Sequence, residues 1–366
     1  MSTRTQQLGA RTQLAVICGG RSPEHAVSVV SARSILREAD AERFDVVPFG
    51  ITRGGRWLTP DETRTRLDRV ERGETDTLGD DEGAGELGEP QVLAALAQID
   101  VAFPIVHGRM GEDGTLQGFL ETAEIPYVGS GVAASAIGMD KEQMRAVFER
   151  AGIPQPRYQV LRDDEAHAPS ADALRAIETN LGYPCFVKPA NGGSSLGISK
   201  AHTREELLEA VALAARYDRK VLVEAAIQGG DLHEVECAIL GNADAQASPL
   251  GEIRPHAEFY SYEAKYADDS TELTVPAALP EATSRLVQEY ALQAYRAVDC
   301  AGLARVDFFV QPPGDVHIIE VNTLPGFTPI SMYPRLWQHA GISYPALITR
   351  LAELAIERHT EAKRYA

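Results

Sequence analysis

Between Leu303 and Asn322 the chain alternates twice with period two, on either side of a Pro312-Pro313-Gly314-Asp315 turn signal. That pattern belongs to two antiparallel strands. In the first half Arg305, Asp307 and Phe309 share one face, and Val306, Phe308 and Val310 share the other. In the second half the spacing puts Ile318, Glu320 and Asn322 on one face. Paired as a hairpin around 312–315, the halves set Asp307 opposite Glu320 and Arg305 opposite Asn322. Two carboxylates about 4 Å apart repel by roughly 4 kcal/mol at an effective dielectric of about 20. Such a pair needs a proton, a cation or an arginine between the acids. Oxygen-bearing groups on rigid strands suit Mg²⁺. The other reading is a solvent-facing strand whose acids Arg305 neutralises.

Upstream, the apolar run Gln13–Gly20 ends in two glycines and precedes a helical stretch in which Val29, Ala32 and Leu36 recur at helical spacing. Strand signals return at Phe44–Gly50 and Val101–Val106, the second followed by a glycine-rich loop and another helix. Strand, loop and helix in alternation predict a parallel sheet covered by helices, an N-terminal α/β domain over 12–128. Residues 1–11 read as a disordered polar tail. From Gly129 the pattern changes to mixed α+β, giving a central domain over 129–225 and a C-terminal domain over 226–366.

Several loops carry candidate chemistry. Lys188 ends an apolar strand and runs into Pro-Ala-Asn-Gly-Gly-Ser-Ser-Leu-Gly, whose N–H groups and hydroxyls, Ser194 and Ser195 among them, can wrap phosphates or can form a plain flexible loop. Lys141 opens a helix, where an exposed lysine is the default. Glu224 ends a strand, and Glu234 and Glu236 lie near the next. Three tyrosines, a phenylalanine and Lys265 crowd into Phe259–Tyr266, within a loop over 259–275 that can act as a lid or pack on its own rings. Glu24 and His25 stand at a helix start, where capping is one role. His107, Arg109, Glu112 and Asp113 sit among four glycines at a strand end, the place where open parallel sheets bind ligands.

Net charge, −18 over 366 residues, argues against a nucleic-acid partner held through its phosphates. Part of it is local: Gly73–Pro90 holds seven acids and no Lys or Arg, and reads as a solvated insertion. No apolar run is long enough to span a membrane, the start shows no signal-peptide pattern, and the four cysteines lie far apart. A cytoplasmic protein with reduced thiols is the expectation.

In chain order, Gly-Gly-Arg-Ser-Pro-Glu-His, His-Gly-Arg-Met-Gly-Glu-Asp-Gly-Thr-Leu-Gln-Gly, Met-Asp-Lys, the Lys188 loop, Tyr-Glu-Ala-Lys-Tyr, Ala-Arg-Val-Asp-Phe-Phe and Glu-Val-Asn-Thr-Leu-Pro-Gly together resemble the D-alanine–D-alanine ligases of the ATP-grasp superfamily, over roughly 14–355. The resemblance implies a mixed α/β, three-domain ATP-grasp fold with ATP between the central and C-terminal domains. It implies that ATP phosphorylates one D-alanine and that a second attacks the acyl phosphate, for peptidoglycan synthesis. By position it implies that Lys141 and Lys188 hold phosphates, Glu224 meets adenine and Glu234 the ribose. Ser194 and Ser195 cover the phosphates, and Lys265 reaches the transferring one. Asp307, Glu320 and Asn322 ligate two Mg²⁺, for which Mn²⁺ can substitute. Arg305 and the Gly326 N–H stabilise the oxyanion; Glu24 and His107 meet the first D-alanine, and Ser331 the second. Tyr266 links through Ser194 to Glu24, and the protein is a homodimer. Ala26 replaces the second acid of many relatives, and a slightly longer segment before Cys237 leaves Glu236 as an alternative ribose ligand.

Overall fold

The computed structural model describes residues 11–81, 90–254 and 272–365. The expected tail up to Ala10, part of the acidic loop, and Lys265 and Tyr266 of the expected lid lie outside them.

The first unit is built from β1 (Thr12–Gly19), α1 (His25–Glu38), β2 (Phe44–Ile51), α2 (Pro60–Glu71), α3 (Pro90–Leu96), β3 (Val101–Pro104) and α4 (Thr115–Thr122). Its three strands are parallel, in the order β2-β1-β3. β1 is central and almost wholly buried, which is why its sequence is a continuous apolar run rather than an alternation.

Next come α5 (Val132–Met139), α6 (Lys141–Ala151), β4 (Tyr158–Arg162), α7 (Asp164–His167), α8 (Ala171–Asn180), β5 (Cys185–Pro189), β6 (Ser199–Ala201), α9 (Arg204–Ala214) and β7 (Lys220–Ala225). The strands form an antiparallel sheet in the order β4-β7-β5-β6. α5 and α6 do not cover this sheet. Their apolar stripe, Ala134, Met144 and Phe148, packs into the core of the sheet that follows.

That sheet takes in β8 (His233–Gly241), β9 (Gln246–Arg254), β10 (Glu272–Thr274), β11 (Gly302–Gln311) and β12 (Asp315–Asn322), antiparallel in the order β10-β9-β8-β11-β12. The chain passes through α10 (Glu281–Val298) between β10 and β11, and ends in α11 (Met332–His339) and α12 (Tyr344–Ala362). Leu347, Leu351 and Trp337 of these last helices share one core with Val16, Val29 and Phe103, so the C-terminal helices lock the parallel sheet to the five-stranded one.

The β11–β12 pairing sets Asp307 opposite Glu320 and Arg305 opposite Asn322, as the alternation requires. It also corrects one expectation. Phe308 pairs with Ile318, so Ile319 is an extra residue and forms a bulge. The bulge turns Ile318 into the core with Phe308 and Val321, not onto the face of Glu320 and Asn322. With a regular register continued from the turn, Asp307 would oppose Ile319; the bulge is what brings the two acids face to face.

Candidate active site

The edge of β12 away from β11 is covered by α6 and the loop after it. Ile318 donates its N–H to the Pro154 carbonyl at 2.9 Å and its carbonyl accepts from Arg145 Nη1 at 2.9 Å. This places Lys141, at the start of α6, beside the acid face of the hairpin. Lys141 Nζ lies 3.3 Å from Glu320 Oε2 and donates to the Gly192 carbonyl at 2.9 Å. One lysine thus ties the hairpin to the glycine-rich loop.

Arg305 forms a two-pronged pair with Asp307, Nε to Oδ1 at 2.8 Å and Nη2 to Oδ2 at 2.6 Å. Asn322 Nδ2 donates to the same carboxylate at 3.0 Å. Asp307 is only 6 % exposed, which rules out a solvent-facing strand. Burial works against the Arg305 charge, but Asp307, Glu236 and Glu320 outweigh it and hold its pKa well above the ordinary value.

Glu24 follows the two glycines that end β1. It occupies the N-cap position of α1 without a side-chain capping bond, so the capping role does not apply. Its carboxylate instead accepts a hydrogen bond from Ser194 of the glycine-rich loop. Two glycines make room for it: a Cβ on Gly193 would lie 2.8 Å from Glu24 Oε2, and one on Gly108, at φ +75°, would lie 2.7 Å from the same oxygen. Ser194 and Ser195 both adopt left-handed backbone, φ 47° and 59°, a costly conformation that functional loops retain. His25 turns away from the cleft and is fully buried. Its Nδ1 meets the Gly20 carbonyl at 2.7 Å, and its Nε2 accepts from the Leu78 N–H at 3.0 Å. Leu78 is buried too, so this part of the acidic segment is structural, not a solvated insertion.

His107 is buried three residues after β3, 3.5 Å from Ser31 Oγ through Nε2. Burial lowers its pKa, opposed by the Glu24 charge and the Leu324 backbone. Gly326 and Ser331 lie in the loop after β12, anchored by Phe327, whose ring packs on Phe103, Tyr333 and Tyr344. Ser331 Oγ accepts from the Thr328 N–H at 3.0 Å.

Most of these residues line one cavity of about 790 Å³; Asp307, behind Arg305, and Ser195 are not on its wall. Its wall includes Glu24, His107, Lys141, Ser194, Arg305, Glu320, Asn322, Gly326 and Ser331. Lys188 and Glu224 form a separate pair at 2.9 Å, and Arg145 also binds Glu224. Burial raises the Glu224 pKa, yet Arg145 and Lys188 together hold it below its ordinary value. Glu234 lies on β8 opposite Phe309, on the same strand face as Glu236.

Sequence reasoning passed over Arg145 and named Glu112 and Glu236 without the surroundings the structure gives them. Arg145 is 2 % exposed on an amphipathic helix; its place beside Met144 and one turn before Phe148, both buried, was the available signal. Glu112 lines the cavity, and burial together with the Glu24 and Glu320 charges raises its pKa well above its ordinary value. Its position among four glycines marked it, but not its nearness to Glu24 and Glu320. Glu236 lies opposite Asp307 and is ion-paired with Arg305 at 3.1 Å.

The donor set on the hairpin is all oxygen, which fits a hard divalent cation. With Glu236 of the neighbouring β8, its acids Asp307 and Glu320 make three against two nearby cations, Arg305 and Lys141, and so keep an excess of negative charge. Among the described residues no group of three or more His, Cys, Asp or Glu side chains is already drawn together around a metal position. Arg305 is paired with Asp307, and Lys141 lies beside Glu320.

Two antiparallel sheets border one cleft, with the glycine-rich loop of one facing the acid row of the other, the arrangement of an ATP-grasp enzyme. Residues 13–130 match the family described as D-ala D-ala ligase N-terminus, and residues 147–353 match D-ala D-ala ligase C-terminus. The D-alanine--D-alanine ligase of Acetivibrio thermocellus is 46 % identical over 97 % of this chain and 98 % of its own length. That of Bacillus pumilus is 44 % identical over 96 % and 98 %. Among solved structures, the D-alanine-D-alanine ligase from Coxiella burnetii superposes with a TM-score of 0.80 at 34 % identity, covering 98 % of this chain and 97 % of that one. The VanG D-Ala:D-Ser ligase from Enterococcus faecalis gives 0.78 at 33 % identity, covering 94 % and 99 %. The D-alanine--D-Alanine ligase from Bacillus anthracis complexed with ATP gives 0.73 at 28 % identity, covering 96 % and 99 %. The chain belongs to the D-alanine–D-alanine ligase family and is a ligase.

Proposed function

We infer that the protein joins two D-alanine molecules into D-alanyl-D-alanine, with ATP converted to ADP and phosphate, to supply peptidoglycan synthesis. The observation that carries this reading is the shared cavity: Glu24, the acid proposed for an amino-acid ammonium, lines the same space as Glu320 and Asn322 of the hairpin. Lys141 and Lys188 hold the phosphates, and Lys188 does so by leaving Glu224, which Arg145 keeps charged. Glu224 meets the adenine and Glu234 the ribose, while Ser194 and Ser195 close over the phosphates. Asp307, Glu320 and Asn322 hold two Mg²⁺, with Mn²⁺ able to substitute; bound there, the ions neutralise charge on the transferring phosphoryl group.

Glu24 and His107 orient the first D-alanine so that its carboxylate faces the transferring phosphate. Ser331 takes the carboxylate of the second, whose amine attacks the acyl phosphate. Arg305 and the Gly326 N–H meet the oxyanion of the tetrahedral intermediate, the use of preorganised donors that dominates many such reactions. Lys265 and Tyr266, outside the described residues, are assigned to a lid that excludes water, Lys265 for the transferring phosphate and Tyr266 for Ser194. The Ser194–Glu24 hydrogen bond supplies the remaining part of that chain. The working form is a cytoplasmic homodimer with neither nucleic-acid nor membrane partners. Among the described residues no helix is long and apolar enough to cross a membrane.

Phosphate release measured with ATP and single amino acids tests the reading. D-alanine alone is expected to support turnover with one dipeptide per phosphate, and L-alanine and glycine are not. Product formed only when D-lactate or D-serine joins D-alanine would move the second site to a different substrate. ATP hydrolysis without any dipeptide would overturn the ligase reading.

A further inference from the structure

Glu236 has appeared only as an alternative ribose ligand, yet the sheet places it at the centre of the charge problem. On β8 it lies opposite Asp307 of β11, which lies opposite Glu320 of β12. Cross-strand partners present their side chains to one face, so three acids stand in a line across three strands. Glu236 is 4 % exposed and lines the same cavity as Arg305.

One step along, Arg305 lies opposite Ala238 on β8. The short alanine leaves the guanidinium room on that side. Arg305 Nε is shared, 2.8 Å from Asp307 Oδ1 and 3.1 Å from Glu236 Oε1, while Nη2 holds the other Asp307 oxygen at 2.6 Å. A carboxylate gripped by both prongs of a guanidinium has little left to offer a divalent cation, and the two positive groups repel across it. Resting on the reading of Asp307 as a cation ligand, we infer that Glu236 is a positioning residue: it takes Arg305 over when a divalent cation engages Asp307. Arg305 then keeps a counter-ion without leaving the cavity where the oxyanion forms. Glu234 shares the strand face but lies opposite Phe309, one pair further from Arg305, and retains the ribose role.

The isosteric Glu236→Gln change tests this, with Mn²⁺ affinity in the presence of ADP read by electron paramagnetic resonance beside kcat and KM. Losing a charged hydrogen-bond partner corresponds to about tenfold to a hundredfold weaker Mn²⁺ binding. A fall in kcat with an unchanged KM for ATP is expected beside it. Arg305→Met alone should instead tighten Mn²⁺ binding, because Asp307 is released, and this measurement stands whether or not Glu236→Gln folds. In the Arg305→Met background, Glu236→Gln should leave Mn²⁺ affinity unaltered, the signature of a coupled pair. Unchanged Mn²⁺ affinity in Glu236→Gln, with a raised KM for ATP and lost preference for ATP over 2′-deoxy-ATP, would make Glu236 the ribose ligand and overturn the proposal. Unchanged or weaker Mn²⁺ binding in Arg305→Met would overturn it as well. Failure of the wild-type chain to make dipeptide would reject the ligase reading separately, since the Mn²⁺ measurements need no turnover.

Discussion

Glu320→Ala is expected to abolish dipeptide synthesis while leaving the protein folded. Glu320 projects from β12 beside the bulge, faces Asp307, and lies within 3.3 Å of Lys141. Removing it takes away one cation ligand and the anchor of a phosphate-binding lysine together. Losing about 4 kcal/mol of transition-state charge stabilisation lowers the rate by about a thousandfold. Stability should respond in the other direction. The variant removes one of three acids aligned across the sheet, so repulsion falls and the thermal midpoint is expected to hold or rise. Steady-state rates and a melting curve check both halves; a variant that turns over at the wild-type rate would remove Glu320 from the site.

Arg305→Met is expected to lower kcat by about a hundredfold to a thousandfold, with a much smaller effect on KM for ATP, because its role is to meet the oxyanion and not the nucleotide. It should also destabilise the fold. Asp307 and Glu236, 6 % and 4 % exposed, would lose the cation that both contact. Removing one partner of such a buried group costs about 3 kcal/mol. Added Mn²⁺ should restore more stability to this variant than to the wild type, because the ion replaces the missing positive charge. A loss of activity with no change in stability would mean that the arginine is not the counter-ion of this acid row.

The acid face was legible because a period-two pattern, a Pro-Pro-Gly-Asp turn and paired acids together admit few arrangements. The bulge at Ile319 was not: strict alternation puts Ile318 on the acid face, but Ile318 and Ile319 are both apolar, and the core decides by burying Ile318 against Phe308. Arg145 was hidden for a different reason. On its own helix it reads as a surface charge, and its partners, Glu224 and the Ile318 carbonyl, are 79 and 173 residues away in sequence. The parallel sheet was readable from the buried run at β1, whereas the docking of α5 and α6 on the five-stranded sheet depends on which of two apolar surfaces their stripe meets. His25 shows the same limit, since its ring is bonded to Leu78, inside a loop whose composition reads as solvated.

The most direct test of the central claim is anomalous diffraction from crystals grown with Mn²⁺ and ADP. The account predicts a manganese peak bounded by the side chains of Asp307, Glu320 and Asn322, with Arg305 turned from Asp307 toward Glu236. Nucleotide bound in the cleft with no anomalous peak between those side chains would contradict it.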